Sequence, residues 1–439
     1  MKSIIQFLVL IVTLILVSNS HAICTRTYIS MSALDSYATP LEFGKINLSS
    51  AYLQPVGSVL GHIVVPPSHR SAPLSTVLWT CDESDLPYIY FLVATNGDEP
   101  FAGHVETGAL DGLGGVYATW RQYIGLKQTM ADVTLSRYWQ KVNIKSYALV
   151  NGKVQIRLMD IPPLEASLYR ISNLPSYSRG SFCNRNMIVS GSYKSGKLPN
   201  GLTASCNQSS AYIQLSGDSN VTILTGHDKI GADSNISFNF WGSNNGLPYG
   251  LNTASNTTMS QAQTCVARNV TPNVTFQAIP AIQLKNNDKV EANFNVEVEC
   301  NESAKSGVTS EQTAIGFQPS NAAYLNAQKL NLINTNGSAQ YLVSDDYNNP
   351  LSAKGVGIQL ENAATQTKMH FLNQYAITGG GQSAGWYPVL EGNPISIGSK
   401  QPGYQSYLQE YKAILSKLPN ENPQPGKVKA TATVVVKIQ

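Results

Sequence analysis

The chain has 439 residues, of which 13% are charged, and a formal net charge of +3. So small and scattered a positive balance argues against nucleic acid as a partner, and the length exceeds what one core organises, so more than one domain is expected. Ser, Thr, Asn, Gly and Tyr fill positions that Lys and Glu hold in cytosolic proteins. That composition suits short strands joined by turns and surfaces that hydrogen-bond neutral polar ligands.

In chain order, Met1-Lys2, the apolar run Ile4 to Val17 and then Ser20-His21-Ala22 read as a secretory signal peptide, residues 1–22, cut before Ile23. No later apolar run is long enough to span a bilayer. In an exported chain six cysteines with no CxxC pair are most simply three disulfides. Taken sequentially they join Cys24 to Cys81, Cys183 to Cys206 and Cys265 to Cys300. No cofactor and no metal is expected, because His62, His69 and His104 do not share the spacing of a ligand pair on one strand or helix.

Further along, Leu74-Ser-Thr-Val-Leu-Trp-Thr-Cys81 reads as a strand, followed by the acidic stretch Asp82, Glu83, Ser84 and Asp85. Sugars are held by carboxylate and amide hydrogen bonds with an aromatic ring against their C–H face. Candidate contacts of that kind are the cluster Tyr117 to Tyr123, with Trp120 and Arg121 at its centre, and Arg137-Tyr-Trp-Gln140; both also read as strands with packed aromatics. The polar, unpatterned stretch Ser255 to Gln263 is the linker candidate, set at residues 256–263.

The clearest strand follows. Val290, Ala292, Phe294, Val296, Val298 and Cys300 alternate with Lys289, Glu291, Asn293, Asn295, Glu297 and Glu299, which turns Cys300 toward a core. Gly381-Gln-Ser-Ala-Gly385 fits a nucleophile elbow, but no histidine follows Ser383 and the flanks are Gly-rich rather than strand and helix, so an enzyme is not expected. Leu408, Tyr411, Leu415 and Leu418 follow helical spacing, which predicts a short helix over 405–418. From Gly426 to Gln439 the residues Val428, Ala430, Ala432, Val434, Val436 and Ile438 alternate with polar ones, which predicts one long strand with a buried face. With no strand after it, that strand is expected to take its partner from another chain.

A glycine fourteen residues from the end followed by this alternation resembles the C-terminal signature of chaperone-usher pilus subunits. Thr264-Cys265, Asn273-Val-Thr-Phe276, the strand ending in Cys300 and Gly355-Val-Gly-Ile-Gln-Leu360 resemble pilin domains as well. The resemblance implies that residues 264–439 are an incomplete immunoglobulin-like pilin domain. Its missing strand would come first from a periplasmic chaperone, at the outer-membrane usher, and then from an adjacent pilus subunit. Leu74 to Cys81, with a cysteine close to the mature start, resembles the adhesins of type 1 fimbriae, in which polar residues after the second cysteine line a sugar pocket. That implies a lectin-like sandwich over 23–255, with Glu83 and Asp85 as receptor contacts and a host glycan or glycoprotein as receptor. The expectation is therefore an all-β chain of two β-sandwich domains, a fimbrial tip adhesin at the bacterial surface. A secreted carbohydrate-active hydrolase or a minor structural pilin are the alternatives.

Overall fold

The computed structural model describes residues 22–27, 38–69, 72–97, 103–119, 123–172, 196–197, 203–204, 209–223, 226–238, 246–251, 257–375, 378–399 and 401–439. The fold is all-β. Among the described residues the α-helices are the short Ala281–Lys285 and Asn321–Lys329. Two hydrophobic cores form. The first draws on residues from Cys24 to Leu251, with Trp79, Phe91, Trp139, Tyr212 and Tyr249 fully buried, and the second on residues from Cys265 to Leu418.

Three sheets enclose the first core. In one, Val77–Asp82 lies between Lys153–Arg157 and Ala22–Arg26. In the next, Ile89–Thr95 pairs with Ala211–Gly217, and every residue of both strands is buried, so both read as near-continuous apolar and small-polar runs rather than alternating ones. In the third, Leu164–Arg170 lies between Val59–Val65 and Ile124–Met130. Cys24 is bonded to Cys81, which ties the first strand into the sheet beside Val77–Asp82.

The second core lies between two sheets, the sandwich arrangement. One sheet runs Cys265–Val270, Val290–Asn301, Tyr404–Lys417, Val356–Asn362, Lys368–Met369, and the other runs Tyr387–Pro388, Thr313–Pro319, Ala432–Ile438. Cys265 and Cys300 are register partners on adjacent strands and are joined as a buried cystine. Phe294, Phe317 and Tyr411 meet across the core with ring centroids 5.1 to 5.9 Å apart.

The helix predicted over 405–418 is instead the strand Tyr404–Lys417, held between Val290–Asn301 and Val356–Asn362. Tyr411, Ala413 and Leu415 face the core with strand period, while Leu408 and Ile414 lie on the opposite face. The apparent helical spacing mixed residues of both faces, and cross-strand pairing on two sides decided the conformation. The linker candidate is also more ordered than its composition suggests. Thr258–Ser260 pairs in parallel with Lys45–Asn47, and the Asn47 side chain satisfies Ala262 N–H at 2.8 Å and Ala262 C=O at 3.0 Å.

The tail keeps its predicted alternation, with Val428, Ala430, Ala432, Val434 and Val436 packed on the second core, but the regular ladder begins only at Ala432. Before it the chain runs extended along loops, with Lys427 N–H on Leu351 O at 3.0 Å and Ala353 N–H on Lys427 O at 2.9 Å. Gly426 permits that approach, since a Cβ there would stand 2.3 Å from Ala353 N. Replacing Gly426 by Val is therefore expected to cost roughly 1–3 kcal/mol, the usual range for overpacking. The urea midpoint of the full chain measures this, and an unchanged midpoint would show that the loop moves aside freely.

Candidate functional site

Among the described residues, the terminal strand Ala432–Ile438 pairs only with Thr313–Pro319, in a register running from Thr313 opposite Ile438 to Pro319 opposite Ala432. The opening strand of the C-terminal sandwich, Cys265–Val270, likewise pairs only with Val290–Asn301 among the described residues. Each therefore stands at the edge of its sheet, and the two edges flank one groove of about 650 Å³. Thr264 to Arg268 line one side and Thr433 to Ile438 the other. Edge strands offer rows of backbone donors and acceptors, so the chemistry on offer is main-chain pairing. Ile438 is buried at the end of the groove, and Val434 and Val436 are half-buried along it.

Residues of the N-terminal half close the groove from outside. Its lining includes Leu53, Val59, Leu60, His62, Ser167 and Tyr169. Burial lowers the His62 pKa, which favours the neutral ring, and its Nδ1 lies 2.9 Å from Ser167 Oγ. Lys437 reaches across the junction to donate to Phe43 O at 2.6 Å, and burial pushes its ammonium pKa down to about 8.

A second junction contact sits at a β-bulge. The register of the opening strand shifts between Ala267 and Asn269, leaving Arg268 outside the ladder and re-aiming its side chain. Arg268 donates to Glu299 Oε2 at 2.6 Å, to Leu53 O at 3.1 Å and to Tyr52 O at 2.9 Å. Tyr52 O–H donates to Glu299 Oε1 at 2.7 Å, and the Tyr52 and Tyr404 rings lie 4.7 Å apart. Burial alone would raise the Glu299 pKa; hydrogen bonds from Ser399, Tyr52 and Arg268 outweigh it and hold the carboxyl below its ordinary value.

The receptor candidates of the N-terminal half are placed differently from one another. Glu83 is exposed at the start of the 3-10 turn Glu83–Tyr88, directly after the Cys24–Cys81 cystine. Asp85 is only 2% exposed, and its carboxylate accepts from Asp82 N–H at 3.1 Å and Ser84 Oγ at 3.5 Å, so it closes the turn. Burial raises its pKa. Trp120, Arg121 and the Cys183–Cys206 pair lie outside the described residues. In the second aromatic cluster Trp139 is buried, with Nε1–H on Ser237 O at 2.8 Å; Tyr138 is 49% exposed beneath the Arg137 guanidinium, which pairs with Asp233.

Histidines and the serine elbow carry no assembled chemistry. His104 Nδ1 is on Gly97 O, His69 is buried, and among the described residues no group of three His, Cys, Asp or Glu side chains is placed to hold a metal. Ser383 sits on the 3-10 turn Gly381–Ala384, donates its hydroxyl to Gly380 O at 2.8 Å and accepts from Asn336 Nδ2 at 2.9 Å. His370 contacts Ser338 Oγ at 3.3 Å. What sequence reasoning missed is the outer wall of the groove and the Arg268 bulge, since neither a sheet's outer face nor a bulge leaves a local pattern.

The Glu299 cluster predicts a pH dependence. A folded-state pKa below the unfolded value of about 4.3 gives stability that is complete above that value and lost as pH falls through the depressed folded one. Stability of the wild type over Glu299→Gln is expected to be greatest near neutral pH and to narrow below about pH 4. A difference that stays constant in acid denaturation curves would show that the carboxylate charge plays no part.

Residues 253–439 match the family described as "Fimbrial: Fimbrial protein". No curated protein matches the chain. Among solved structures, the P pilus rod subunit PapA is similar at 14% identity and TM-score 0.24, covering 43% of this chain and 99% of that one. The CupB6 tip adhesin from Pseudomonas aeruginosa is similar at 12% and TM-score 0.23, covering 95% and 94%. The CsuC-CsuE chaperone-tip adhesion subunit complex of Acinetobacter baumannii is similar at 7% and TM-score 0.21, covering 92% and 99%. Likenesses at such TM-scores bear no inference. The family match is confined to residues 253–439, and over that stretch the chain is similar to the fimbrial proteins.

Proposed function

We propose that the chain is a tip adhesin of a chaperone-usher fimbria, with a receptor-binding domain at 23–255, a linker at 256–263 and a strand-accepting pilin domain at 264–439. The observation that carries this is the pair of strand edges, Cys265–Val270 and Ala432–Ile438, that flank one groove in the part of the chain that matches fimbrial proteins. The two edges hold residues whose Cα atoms lie within 8 Å of each other, so an extended segment that completes both sheets would have to part them. The donors under this reading are a periplasmic chaperone, displaced at the outer-membrane usher by an adjacent pilus subunit.

The tip position is supported by what precedes the opening strand. Where a rod subunit places a short donor strand, this chain places a second core with its own sheets. The receptor under this reading is a host glycan or glycoprotein, contacted by the exposed Glu83, with Asp85 holding the turn that presents it. The hydrolase alternative is disfavoured because Ser383 Oγ is committed to Gly380 O and His370 contacts Ser338.

Adding an excess of an extended apolar peptide to the full chain is expected to raise its unfolding free energy, by about 2.7 kcal/mol at a free peptide concentration one hundred times Kd. No shift at any concentration would remove the strand-accepting reading. For the receptor side, Glu83→Ala is expected to abolish binding on a glycan array while changing stability by no more than about 0.5 kcal/mol, as for other exposed positions. Glycan binding that survives this substitution would place the receptor site elsewhere.

A further inference from the structure

The outer face of the sheet built from Val59–Val65 and Leu164–Arg170 turns away from the first core, although Leu60 at its edge also packs against that core. Its register sets Ser167 opposite His62 and Tyr169 opposite Val59, on the face turned away from the buried Ile63, Ala166 and Leu168. This outward face lines the groove beside the terminal strand. Val59 is 56% exposed there although it is aliphatic and part of a regular strand. An apolar residue left uncovered at the mouth of a groove loses the stabilisation that burial against an occupant would give.

Charge on the lining is one-sided. Arg268 and Lys437 contribute to it, and no Asp or Glu does. A segment lying between the two edges would point alternate side chains in opposite directions, one set into the pilin core and the other out of the sheet. In a free-standing sandwich the outward set meets water. Here it meets Leu53, Val59, Leu60, Ser167 and Tyr169.

We propose that this sheet face is the third wall of the groove, so that the strand completing the C-terminal domain also binds the N-terminal domain and is selected for an uncharged, apolar outer face. The inference rests on the strand-accepting reading above and adds to it the chemistry of the partner: an extended segment of a second protein chain, apolar on both faces. A cationic outer residue would have to leave water beside Arg268 and Lys437 and against Leu53, Val59 and Leu60.

The test uses the full chain and synthetic peptides of identical inward residues, Val and Ile, whose outward residues are all Val, all Ser or all Lys, measured by titration calorimetry. The Val peptide is expected to bind about tenfold or more tighter than the Lys peptide, a ratio corresponding to ~1.4 kcal/mol, with the Ser peptide between them. In the Val59→Ser/Leu60→Ser double variant that ratio is expected to shrink. Equal affinities for the three peptides on the unaltered chain would overturn the third wall while leaving strand acceptance standing. A fourth peptide with Lys on the inward face separates the two ideas: if it binds as well as the others, or if none of them binds, strand acceptance itself falls and the wall with it.

Discussion

The structure depends on one unfinished hydrogen-bond ladder. A strand satisfies half of its backbone groups on each side, and among the described residues Ala432–Ile438 has its partner, Thr313–Pro319, on one side alone. The same holds for Cys265–Val270, whose partner is Val290–Asn301. Placed together, the two edges border one groove. The buried cystine between Cys265 and Cys300 fixes one edge to the body of the sheet, and the close approach of Gly426 to Ala353 fixes where the other begins.

The two halves of the molecule meet at this site. Lys437, on the terminal strand, is held by Phe43 O, and Arg268, on the opening strand, is held by Tyr52 O, Leu53 O and Glu299. Residues that border the groove thus also make the junction. The bulge that frees Arg268 interrupts the ladder at the same place, which is a common use of bulges at sheet edges. Fully paired buried ions are weak evidence of net stability but strong evidence of a fixed geometry once one partner is removed. On that basis the Arg268, Glu299 and Tyr52 cluster positions the two cores relative to each other.

Much of this was legible in the sequence where side chains alternate along a strand with one buried face. Lys289 to Cys300 and Val428 to Ile438 show the period directly, and the first turns Cys300 toward the core. Legibility failed where a strand is covered on both sides. Tyr404–Lys417 carries apolar residues on both faces, so its period dissolves into something that resembles a helix. It failed again at Asp85, where composition cannot separate a carboxylate that faces solvent from one that closes a turn. The outer wall formed by Leu60, His62, Ser167 and Tyr169 was invisible for a different reason: it arises from two strands distant in sequence and from the packing of one core against another.

Hydrogen exchange at the two edges tests the central claim most directly. In the free chain the backbone amides of Cys265–Val270 and Ala432–Ile438 that face the groove should exchange far faster than those paired with Val290–Asn301 and Thr313–Pro319. On adding an extended apolar peptide they should become protected together, since one inserted strand pairs with both edges. Amides on both edges that are already protected in the free chain, or that remain unprotected at saturating peptide, would contradict the account.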